Sequence, residues 1–216
     1  MNEIALYLID VSICNGIFYV VYLFLFRNRS AFTLNRAYLI AGFILSFIIP
    51  SLELSIAPVD YHLSATRLIA PTSLEEYEKY YRPTNLVTEP AKASFISIAY
   101  WMGFGLSILR VLIDVVKVNK IKNRSVVTKK GHIRVVYADI EQPFSYFNMV
   151  FLPKDGISHL IFEHELAHVR RYHWLDLLIL EIGSAVLWFN PMTFLYRKSI
   201  RMQHEYDADA QILTPS

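Results

Sequence analysis

The chain has 216 residues, of which 54% are apolar and 19% charged, with fourteen Phe and fourteen Tyr. That balance excludes an ordinary soluble domain and points to a chain embedded in a membrane. A formal charge of +2 is too small to argue for nucleic acid, and the single Cys14 excludes an intrachain disulfide.

Ile4 to Phe26 is a mainly apolar run long enough to cross a bilayer as a helix. It is too long for a signal peptide, and Met1-Asn2-Glu3 supplies no basic leader before it. Asp10 and Asn15 within the run are expected to face neighbouring helices or the interface. Arg27, Arg29 and Arg36 follow, then a second span from about Tyr38 to Ser51 that extends toward Ile56. Residues 53–93 read as an extracytoplasmic loop, broken by prolines at 58, 71, 83 and 90, with one short helix around Glu75–Tyr81. A third span covers about Phe95 to Val116; Gly103 and Gly105 permit close helix contact, and Arg110 is expected to pair with Asp114 four residues on. The segments 27–36 and 117–134 carry ten Lys and Arg, against four in 53–93. The positive-inside rule therefore places the N-terminus outside and everything after the third span in the cytoplasm.

The pattern changes after Ser125. Val126-Val127 and Ile133–Tyr137 predict two short strands joined at Lys129-Lys130-Gly131. Phe144–Leu152 predicts a further strand or hairpin closed by Pro153, whose edge a substrate could pair with. Ser158 is a plausible N-cap for the helix that carries His164-Glu165-Leu166-Ala167-His168. In this H-E-x-x-H pattern the two histidines lie one turn apart on one face and can share a metal ion. Glu165 beside them is placed to take a proton from a water that the metal activates.

A hydrolytic zinc usually keeps three protein ligands. Glu205, in the E-x-x-x-D run from Glu205 to Asp209, supplies the third, with His204 as its rival. Asp209, one turn on, is placed to hold a ligand histidine by its second ring nitrogen. Leu175 to Leu195 is apolar enough to be a fourth span, but a crossing there would carry Glu205 to the wrong side of the bilayer. The segment 174–212 is therefore expected to be a buried or re-entrant helical hairpin turning at Asn190-Pro191.

These features together resemble the beta-lactam sensor and antirepressor membrane zinc metallopeptidases of the BlaR/MecR type. The residues that carry the resemblance are Pro143-Phe144-Ser145, Phe151-Leu152-Pro153, the His164–His168 motif, Trp188-Phe189-Asn190-Pro191 and Glu205 to Asp209. The expected architecture is mainly α and integral to the membrane. A three-helix membrane region over 1–117 precedes an α+β gluzincin-type zinc peptidase domain with a short sheet over 118–216. The resemblance implies a peptidase in the cytoplasmic membrane of a bacterium, facing the cytoplasm. It implies Zn2+ held by His164, His168 and Glu205, with Glu165 as catalytic base. Its substrate would be a protein or peptide such as a transcriptional repressor, its surroundings the lipid bilayer, with no direct contact to nucleic acid. Family members usually continue into another span and an extracytoplasmic sensor domain, whereas this sequence ends at Ser216 and shows no S-x-x-K acyl-enzyme motif. Beta-lactam sensing is therefore not carried over, and a homodimer or a separate sensor subunit stays open as partner. The alternative reading is a membrane signalling or binding subunit whose metal site is structural or idle.

Overall fold

The structure, a computed structural model, describes residues 3–27, 31–52 and 95–213. The loop expected over 53–93, with its Glu75–Tyr81 helix, lies outside the described residues. The chain divides into two compact units, Met1–Leu52 with Trp101–Ser216, and Glu53–Tyr100. Of the second, the described part is residues 95–100, the opening turn of a long helix.

Among the described residues, three helices are long and apolar enough to cross a membrane: α1 (Glu3–Leu25), α2 (Phe32–Ser51) and α3 (Phe95–Asn123). α2 begins six residues before the expected Tyr38 because its first turns are polar. They carry Asn35 and Arg36, which bond to other helices instead of facing lipid. α3 runs on past Val116 to Asn123, since the lysines at its basic end are good helix formers. The expected Arg110–Asp114 pair does not form; Asp114 instead lies 3.4 Å from Lys117, three residues on.

A four-stranded sheet follows, built from β1 (Val126–Lys130), β2 (Ile133–Ala138), β3 (Phe144–Tyr146) and β4 (Met149–Pro153) in the order β1-β2-β4-β3. β1–β2 and β3–β4 are antiparallel hairpins, while β2 and β4 run parallel. Period-two alternation sends Val135, Val150 and Leu152 to one face, against Val169 and Phe162 of α4 (His159–Arg170). It sends Val136, Met149 and Phe151 to the other, against Val118 and Ile121 of α3. Every residue of β4 is buried, which explains its unbroken apolar run.

The Ser158 hydroxyl accepts the Leu160 N–H at 3.3 Å and starts α4. After α4 the chain folds into α5 (His173–Val186) and α6 (Met192–Leu213). Asn190 shapes the turn between them: its Oδ1 accepts the Met192 N–H at 2.9 Å and its carbonyl the Thr193 hydroxyl at 2.8 Å.

α1, α2, α5 and α6 share one core of Tyr19, Tyr22, Leu39, Phe43, Leu180, Tyr196 and Ile200. Gly183 of α5 makes this packing feasible, because a Cβ there would stand 2.4 Å from the Phe43 ring. A polar seam runs through the same bundle. Asn15 bonds Ser46, the Tyr19 and Ser199 hydroxyls meet at 3.0 Å, and Gln203 joins both Tyr22 and Asn35. Each of these groups would be costly to bury alone, so the seam fixes the register of α6 against α1 and α2.

Candidate metal centre

α4 presents His164 and His168 on one face, and α6 presents Glu205 opposite them. One ligand atom from each converges within 4.8 Å of the others. The two Nε2 atoms are 3.1 Å apart, and the Glu205 carboxylate lies 3.3 Å from His164 Nε2 and 3.9 Å from His168 Nε2. Nitrogen and carboxylate donors in this arrangement suit zinc with one position left open.

The outer nitrogens of both rings are held. His164 Nδ1 lies 3.0 Å from Asp209 Oδ1, so its N–H donates there and its Nε2 lone pair is free. His168 Nδ1 lies 2.7 Å from His173 Nδ1, and His173 Nε2 lies 3.1 Å from Asp207 Oδ2. The Asp207 carboxylate only accepts, so His173 donates from Nε2 and accepts at Nδ1. That assigns the His168 proton to Nδ1 and again frees Nε2 for a metal. Arg171 closes the chain with two bonds to Asp207, at 2.8 and 2.9 Å. Burial pulls His168 down to about 4, against an opposing pull from Glu205. Burial, aided by His204, takes His173 down to about 3. Both rings are therefore neutral near pH 7, the form that metal ligation requires.

His173 and Asp207 are the residues that sequence reasoning missed. His173 opens α5, and Tyr172 before it has left-handed backbone at φ 54°, ψ 36°. That turn carries the His173 ring back toward His168, and the five-residue spacing between the two was the available signal. His204, the rival ligand, is turned elsewhere. Its Nε2 donates to Asp176 Oδ2 at 2.7 Å, and its ring stacks on His173 at 4.1 Å. Asp176 also accepts a short bond from Arg36 of α2.

Glu165, next to His164, lines the same cavity of about 550 Å³ that the three converging residues border. Burial pushes its carboxyl up, partly offset by neighbouring His164 and a hydrogen bond with Ser145 of β3. A raised carboxyl is the usual setting of a general base that must later give its proton back. β3 forms one edge of the sheet, and Phe144, Ser145 and Tyr146 all line the cavity. Phe147, also at positive φ, packs its ring at a tilt against Trp174 on the same wall, with centroids 4.6 Å apart.

Residues 146–215 match the family model described as BlaR1 peptidase M56. The matched stretch contains His164, Glu165, His168, Glu205 and Asp209. No curated protein matches the chain. The family match supports the BlaR/MecR-type resemblance, and M56 is a metallopeptidase family. Over that stretch the chain is similar to a peptidase family, and among the described residues three helices beside it are long and apolar enough to cross a membrane.

Proposed function

We propose that the chain is a membrane-anchored zinc endopeptidase acting in signal transduction, which cleaves a cytoplasmic or membrane-proximal protein such as a transcriptional repressor. The observation that carries this reading is the convergence of His164, His168 and Glu205 at a cavity that Glu165 also lines. These three would hold the ion, with Asp209 and His173 fixing the two imidazole tautomers. Zinc held there would supply Lewis acidity toward a water and toward the scissile carbonyl. Glu165 would accept the proton of the attacking water and hand it to the leaving amine nitrogen. The free edge of β3 would align the substrate as an extended strand by backbone hydrogen bonds. Glu205 is exposed and the donor set faces a roomy cavity, an arrangement that suits catalysis better than a closed structural site.

The basic residues between α1 and α2 and after α3 support an outside N-terminus and a cytoplasmic peptidase region in a bacterial inner membrane. The turn between α5 and α6 exposes Trp188 and Phe189, and the first turn of α6 exposes Phe194 and Leu195, which suits a hairpin tip dipping into the bilayer. The test is proteolysis by purified protein beside Glu165→Gln. Cleavage should fall by roughly 10²- to 10⁴-fold in the variant with zinc content unchanged. Undiminished cleavage in a zinc-loaded variant would remove Glu165 from the mechanism.

A further inference from the structure

The cavity at the metal centre does not end at the ligands. On α6 it continues past Arg201 and Arg197, and Arg110 of α3 reaches into it from another wall. Two carboxylates besides Glu165 and Glu205 share the lining, and both are engaged. Glu181 accepts from Arg197 at 2.8 Å, and Asp114 is drawn to Lys117. Among the described residues, no ion pair reaches Arg110 or Arg201, and the buried Nε of Arg197 has no hydrogen-bond partner. Arg110 stands two helical turns inside the apolar stretch from Lys117, where a charge is expensive and normally marks a ligand pathway. It borders this cavity and two adjoining depressions shared with Arg197, so its charge is directed to a common space between helices.

The adjoining depression lined by Arg110, Arg197, Lys198 and Arg201 has one carboxylate, Glu205, on its wall, and so a surplus of positive charge beside the metal centre. We propose that it is an anion subsite that takes the carboxylate of an Asp or Glu side chain on the peptide substrate. The proposal rests on the peptidase reading and adds its specificity. Guanidinium forks match a carboxylate in two hydrogen bonds, which favours a side-chain acid over a neutral amide. The helix sets the distance. Arg201 and Arg197 precede Glu205 by one and two turns, about 6 and 12 Å along the axis at about 1.5 Å per residue. An extended peptide advances about 3.3–3.6 Å per residue. The acidic residue therefore lies about two to four residues from the scissile bond.

The experiment uses the full chain in detergent, zinc-loaded, as Glu165→Ala, so that bound peptide is not consumed. Fluorescent peptides of one sequence carry Glu, Gln or Lys at the second, third or fourth residue from the centre, and binding is read by anisotropy. At one of these positions Glu should bind at least about tenfold more tightly than Gln, with Lys weakest. The advantage should shrink with added salt. Adding Arg110→Glu or Arg201→Glu should invert the order while zinc content holds. Equal binding of the three peptides, no binding of any, or an order that survives both reversals would overturn the assignment. So would loss of the Glu preference in micelles containing phosphatidylglycerol but not phosphatidylcholine, which would make the recess a lipid-headgroup site. Wild-type protein that binds with this preference yet cuts none of the peptides would count against the peptidase reading alone.

Discussion

α1 and α2 resemble α3 in length and apolar character, and all three are able to cross a membrane. Inside the fold they differ completely. α1 and α2 bury Asn15, Tyr19, Tyr22, Asn35 and Ser46 in a polar seam against α6, whereas α3 buries none of its residues. Hydropathy reports whether a helix tolerates lipid; buried polar partners report whether the rest of the protein depends on it. By that criterion α2 is part of the metal centre's support. Its Arg36 holds Asp176, the partner of His204, and its Thr33 hydroxyl accepts from Arg171, which grips Asp207 and through it His173. α3 contributes a wall and two charged side chains, Arg110 and Asp114.

The largest test of that contrast is Arg36→Ala, which leaves the Asp176 carboxylate buried without its strongest cation. Thermal unfolding in detergent should show a loss of about 3–5 kcal/mol. An unchanged melting temperature would mean that α2 anchors nothing. Burial alone would raise the Asp176 carboxyl, but its hydrogen bonds from His204 and Arg36 hold it below the usual range. Its stabilisation is therefore complete above the unfolded carboxylate pKa of about 3.9 and is lost as pH falls through the lower folded value.

Next comes His173→Ala, which removes the acceptor that orients His168. Zinc affinity measured against a competing chelator should weaken by about 10- to 100-fold, with part restored by His173→Gln. Equal affinity in all three proteins would make His173 a packing residue only. Gly183→Ala drives a methyl into the Phe43 ring and should cost about 1–3 kcal/mol in the same unfolding assay. The smallest effect belongs to α3, where the exposed Leu109→Ala should change stability by under about 0.5 kcal/mol. A loss as large as that of Gly183→Ala would erase the contrast.

Local periodicity made much of this legible. H-E-x-x-H puts two imidazoles on one helical face whatever surrounds it, and Asn190-Pro191 marks the place where α5 gives way to α6. The two β-hairpins follow from alternation and turn residues. What stayed hidden depends on non-local geometry or on choices that periodicity leaves degenerate. The parallel pairing of β2 with β4 joins strands that are not neighbours in sequence. Asp114 has cations within helical reach on both sides, four residues before and three after, and spacing cannot choose between them. The first turns of α2 were passed over because a hydropathy threshold discounts Asn35 and Arg36, the residues that tie the helix to α6 and α5. The bond of His173 to His168 is hidden because it depends on a left-handed residue, Tyr172, whose side chain gives no hint of that conformation.

The most direct test of the central claim is the metal content of detergent-purified protein, wild type beside Glu165→Ala, His164→Ala and Glu205→Ala. The account predicts one zinc per chain in wild type and Glu165→Ala, and its loss in the other two. Zinc retained by Glu205→Ala, or none in wild type, would contradict it.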